Sequence, residues 1–411
     1  MKNYNLASNV NLHLKQTKKY KTITIFTNFA SEFNLKDKIM KTLLSYMMRE
    51  RCEKYPSKKD FGRILDLLYG ANCRASNSSI GNVFNYSYFG VVLNPLFTDS
   101  SIDEFISLYK ELLFRPLFTE DNLQDAKKIC KLIIQRKVDN PAVFANSETK
   151  KLISDNHFAN TAITDFSLYE NVSLSDIKDY HSKMLNQDKI DIFVYGDLEQ
   201  LDLLSVFQSF EFKARKVNLL AVERVTNSEF KKQVTHKNIS QCNLVMVYET
   251  PITNLDDKIG ILKAGNIVLG GASTSLLFQS VREEHSLCYS IYSNLYPYEG
   301  LLFITTSIDE KNLEKVINLI EENVSNVTNG SYDDNVLKDG ISYVVNSIIA
   351  SEDDLRSSFD FALANSIINK DRKLSELIEQ LQNANKESIS EVFKSLTLKG
   401  MYVLKGEEEV K

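Results

Sequence analysis

The stretch LLFQSVREEHSLCYSIYS (276–293) places Arg282 and Tyr289 seven residues apart. Arginine brings a permanent planar cation and tyrosine a phenolic donor, two groups suited to gripping a peptide carbonyl whose oxygen turns anionic. Such a pair stabilises charge and generates no nucleophile, so any reaction there draws its attacking group from elsewhere. Gly270 and Gly271 stand just before the stretch, where missing side chains would let a peptide backbone approach or would serve a plain loop-to-helix connection. Ser273, Thr274 and Ser275 suit helix capping rather than nucleophilic attack. Cys288 lies three residues from His285, a poor spacing for a Cys–His pair, and its strand-like surroundings point to packing.

A metal centre finds little support in the histidines. The nearest two, His157 and His181, are twenty-four residues apart, so no register puts two on one helix face. His13 reads as a surface-strand residue, and His181 and His236 read as solvated among charged neighbours. The five cysteines (Cys52, Cys73, Cys130, Cys242, Cys288) form no CxxC, and their odd number argues against a disulfide framework and for a reducing compartment. The polar N-terminus MKNYNLASNVNLHLKQTKKYK offers neither a signal peptide nor a membrane span, so cytoplasmic residence is expected. A net charge of −5 with both signs interspersed leaves no basic stripe for nucleic acid.

The elements that would carry these residues occur twice. With 411 residues the chain exceeds one ordinary core, and two domains are expected. The strand-like run 82–94 and the amphipathic stretch 101–114 have counterparts in 292–308 and 310–324. The helical stretch 121–141 matches 334–354, and the apolar strand 190–197 matches 400–407, with offsets of 213 and 210 residues. A near-constant offset marks a duplicated unit. Each unit reads as α+β, an antiparallel sheet with one face under helices and the other toward solvent. The expected division is 1–207, a linker over 208–230, and 231–411 carrying Arg282 and Tyr289. The apolar helix around Leu43–Met48 reads as core, and the end GEEEVK (406–411) as a solvated tail.

In this order the motifs resemble the pitrilysin/insulinase family of zinc peptidases along nearly the whole chain. The likeness is carried by CEKYPSKKDFGRILDLLYGA (52–71), the helix ending in Asp139-Asn140-Pro141, VSLSDIKDYHSKML (172–185), LGGASTSLLFQSVREEHSLCYS (269–290), and the matching end of the second half. Active members carry H-x-x-E-H on an early helix, two histidines for zinc and a glutamate as base. The matching helix, IMKTLLSYMMRERCE (39–53), has Leu43 and Met47 at the histidine positions and Tyr46 at the base. The third zinc ligand, a glutamate, falls at Leu132 or Ile133, and aliphatic groups do not ligate zinc. The family's arginine–tyrosine pair does match Arg282 and Tyr289. The resemblance therefore implies a non-catalytic subunit of a heterodimeric peptidase. Zinc would reside in a zinc-motif-bearing partner, while this chain gives Arg282 and Tyr289, with Gly270 and Gly271, to a peptide substrate. The alternative is an inert scaffold or a peptide-binding protein.

Overall fold

The computed structural model describes all residues except 100–101, 162–163, 226–228 and 408–411, so the last four residues of the acidic end lie outside it. The chain forms two compact units. The first contains β1 (Lys2–Ala7), β2 (Val10–Gln16), β3 (Thr22–Glu32), β4 (Asn72–Ile80), β5 (Val83–Leu93) and β6 (Lys189–Gly196), in the order β1-β2-β6-β3-β5-β4. The second contains β7 (Lys231–Lys237), β8 (Cys242–Glu249), β9 (Cys288–Tyr296), β10 (Leu301–Ile308) and β11 (Thr397–Gly406), in the order β7-β11-β8-β10-β9. Without β1 the two orders coincide strand for strand, as a duplicated unit requires. The sheets are mixed rather than purely antiparallel: β2 runs parallel to β6, and β7 parallel to β11. The run 292–308, matched in sequence to 82–94, is a hairpin holding part of β9 and all of β10, and β10 is the strand that corresponds to β5.

Helices cover these sheets for reasons visible in single residues. Gly90 of β5 leaves room for Phe105 and Tyr109 of the helix Ile102–Phe114; a Cβ there would lie 2.7 Å from the Tyr109 ring. Lys41, fully buried on the helix Leu35–Met47, donates to the Phe29 and Phe84 carbonyls at 3.3 and 3.0 Å, and pairs with Asp188 at 2.7 Å. A buried charge is tolerated when both its partner and its hydrogen bonds are supplied in this way.

The expectation of one solvent-facing sheet surface fails in both units. The central strands β3, β5, β6, β8 and β10 are buried over almost their whole length, because each sheet receives a helix from the other half of the sequence. The first unit includes 359–369, and there Phe359 stacks on Phe26 at 4.4 Å and meets Phe89 and Phe193 edge-on. The second unit includes 134–164, and the helix Pro141–Ile153 sets Ala145 and Ile153 against Val245, Val247 and Tyr402. The compact units are thus not the contiguous halves 1–207 and 231–411. Residues 209–225 form neither helix nor strand but are anchored. Arg215 donates to the Leu185 and Asp188 carbonyls in the first unit, and in the second the Glu223 and Val225 amides bond the Tyr298 and Glu299 carbonyls.

Candidate functional site

In the second unit a helical segment runs from Ile259 to Glu284 with two wide π-helical stretches, Ile267–Gly271 and Phe278–Glu284, on either side of a break at 272–275. Such widened turns cost hydrogen-bond geometry and are found disproportionately at functional sites. The second stretch closes with the His285 amide on Ser280 O and the Leu287 amide on Val281 O, while Ser286 takes a left-handed φ of 51°. His285 donates from Nδ1 to the same Ser280 carbonyl at 2.9 Å, so one face of its ring is spent on ending the helix.

This ending brings the two sequence-selected residues together. The Arg282 guanidinium lies 4.4 Å from the Phe278 ring centroid and 5.6 Å from that of Tyr289. Ring faces attract a cation and restrict its rotamers, so the guanidinium is held from two directions. Its Nε approaches Glu283 at 3.5 Å, and among the described residues its Nη groups bond no protein atom. Tyr289 lies past the helix, near the start of β9, and is 84% exposed. A planar fork with an open edge beside a free phenol can donate two or three hydrogen bonds to one oxygen acceptor. Nothing in the pair can activate water. Cys288 supplies no reactive thiolate either: burial pushes its thiol up, against smaller opposing effects of the Thr306 hydroxyl and of Arg282.

The glycines divide. Gly270 is buried, and a Cβ on it would stand 2.7 and 2.8 Å from Ser293 Oγ and N, so the backbone it admits is that of β9. Gly271 is exposed, close to Asn266. Ser293 Oγ donates to Asn266 Oδ1 at 2.7 Å, which ties β9 to the helical segment beside the pair.

In the first unit the two positions matched to zinc-binding histidines are core. Leu43 and Met47 are buried on the helix Leu35–Met47. Tyr46 is half-buried with the Arg49 guanidinium 4.7 Å over its ring, and its phenol is pushed up by burial first and by nearby Cys130 second. It is therefore a proton holder, not a base, at neutral pH. Leu132 is exposed; the buried residue of that long helix next to Tyr46 is Cys130, which the sequence match passed over. Among the described residues no three His, Cys, Asp or Glu side chains are gathered as a metal would need. His181, expected in solvent, is buried: its Nε2 meets the Leu113 carbonyl at 2.9 Å, and burial lowers its pKa to about 4. His13, on β2, lies 3.1 Å from the buried Asp191 and stacks on Phe193, whereas His236 is exposed on β7 as expected.

Residues 171–344 match a family model described as the peptidase M16 inactive domain. The chain is 22% identical over 409 residues to the probable inactive metalloprotease YmfF of Bacillus subtilis, covering 96% of each. Its fold superposes on the crystal structure of a conserved protein from Enterococcus faecalis with a TM-score of 0.94, at 24% identity over 100% of this chain and 99% of that one. A peptidase M16 inactive domain from Pseudomonas fluorescens superposes with a TM-score of 0.80, at 18% identity over 98% of each.

Proposed function

We propose that this chain, an inactive homologue of the pitrilysin/insulinase (M16) peptidases, is the substrate-gripping subunit of a two-chain zinc peptidase. A zinc-motif-bearing relative supplies the metal and the activated water. This chain contributes Arg282 and Tyr289 to the peptide carbonyl at the point of cleavage, where hydrogen bonds preset for an anionic oxygen lower the barrier. The observation that carries the reading is the Arg282 guanidinium clamped by Phe278 and Tyr289 with its Nη edge open. It gains support from the apolar Leu43 and Met47 at positions where active members hold zinc. Peptides, rather than nucleic acid or lipid, fit the interspersed charges of both signs and a pair that offers one cation and one phenolic donor to a single oxygen. No described helix is long and apolar enough to cross a membrane, and a reducing, cytoplasmic setting accords with the five free cysteines.

The test is a mixing experiment. Purified chain and its zinc-bearing relative are combined and assayed on a peptide library, with wild type and Arg282→Ala compared. Wild type should stimulate cleavage, and Arg282→Ala should lower turnover by about 10²–10³-fold. Absence of stimulation, or stimulation undiminished in the variant, would leave an inert scaffold or a peptide-binding protein as the correct description.

A further inference from the structure

Tyr289 stands where regular strand geometry would bury it. Along β9, Ile291 and Ser293 are buried toward the helical segment, and period-two alternation puts position 289 on that same face. The pairing with β10 shows how the residue escapes. Ile291 opposes Thr306 and Cys288 opposes Ile308, so Tyr289 and Ser290 together face the single residue Ser307. This two-against-one bulge shifts the alternation by one residue: Cys288 takes the place against the core, and Tyr289 turns outward. A bulge interrupts the ladder and leaves backbone groups that need another partner. The Ser290 carbonyl takes one from Thr306, whose Oγ1 donates to it at 2.9 Å. Thr306 is 2% exposed, so on the donor side its hydroxyl has no ready exchange of that bond for one to water.

We propose that Thr306 is a positioning residue: its buried hydroxyl holds the β9 bulge and thereby aims Tyr289 outward beside Arg282. Its functional half rests on the reading of Arg282 and Tyr289 as the substrate-gripping pair; its geometric half stands alone. Valine at 306 keeps the shape and removes the donor, which takes the side-chain partner from the part-buried Ser290 carbonyl and favours a regular strand with residue 289 turned inward. Serine keeps the donor and should preserve the bulge.

The chain contains no tryptophan, so Tyr289→Trp installs a single indole at the site, excited selectively at the red edge where tyrosine does not absorb. In that background the indole should emit as an exposed group and be quenched freely by acrylamide. Adding Thr306→Val should shift emission to the blue and reduce quenching, and Thr306→Ser should leave both as they were. Deletion of Ser290, which removes the extra residue, should reproduce the valine result and serves if Thr306→Val does not fold. A spectrum unmoved by either change overturns the proposal. With Tyr289 in place, Thr306→Val mixed with the zinc-bearing relative should lose about 10²-fold in kcat with KM little altered, and Thr306→Ser should match wild type. A shifted spectrum with undiminished turnover leaves Thr306 as the holder of the bulge and overturns the shared-site reading instead.

Discussion

Arg282 shows how ring neighbours take freedom from a charged side chain. An exposed arginine ordinarily samples many rotamers, and fixing it at the moment of binding costs part of the affinity gained. Here Phe278 and Tyr289 confine the guanidinium before any ligand arrives, while a single contact to Glu283 leaves the fork edge usable. Burial acts on His181 in the opposite sense, by suppressing charge. Its pKa falls to about 4 because the imidazole is enclosed, against a small opposing pull from the Leu113 carbonyl. The unfolded chain takes up this proton near pH 6.5 and the folded chain resists until about pH 4, so folding stability is intact above the first value and declines between the two. Urea denaturation at pH 7 and at pH 4.5 should show this decline, and His181→Gln, which can still donate to Leu113, should remove about 2–3 kcal/mol of it. An unchanged pH slope in that variant would mean the ring is protonated inside the fold.

Elements position the site through departures from regularity. The widened stretch Phe278–Glu284 and the left-handed Ser286 turn the chain out of the helix, and the bulge in β9 then receives Tyr289. Close packing of the first π-helical stretch on β9 is set by Gly270. Gly270→Ala should destabilise the protein by about 1–3 kcal/mol, since its Cβ would meet the Ser293 backbone and hydroxyl at 2.8 and 2.7 Å; chemical denaturation measures this, and a neutral result would show that the segment can shift aside. The outer strands also differ. Edge strand β7, KKQVTHK, carries three lysines, a common guard against unwanted pairing, whereas β9, CYSIYSNLY, carries no charge and is guarded by its bulge and the neighbouring helical turn.

At the scale of the whole molecule, each unit is completed by a helix from the other half of the sequence. Phe359 fills a site between Phe26, Phe89 and Phe193, and Ser366, later on the same helix, donates to the fully buried Asp191 at 2.8 Å. Phe359→Ala should cost about 3–5 kcal/mol, and in hydrogen exchange the loss of protection should spread through β3, β5 and β6 rather than stay in the helix Leu355–Ile367. Exchange confined to that helix would mean the first sheet stands without it. The amino-acid order by itself determined the duplicated α+β plan, because offsets of hydrophobic runs survive divergence. It also determined the apolar character of Leu43 and Met47, and the pairing of Arg282 with Tyr289, because side-chain type and spacing are local properties. Only the tertiary structure decided which helix covers which sheet, that His181 is buried although its sequence neighbours are polar, that Gly270 admits β9, and that Thr306 holds the bulge aiming Tyr289. Those facts depend on segments brought together from distant parts of the chain, and burial and strand register are settled by that meeting, not by any residue's neighbours in sequence.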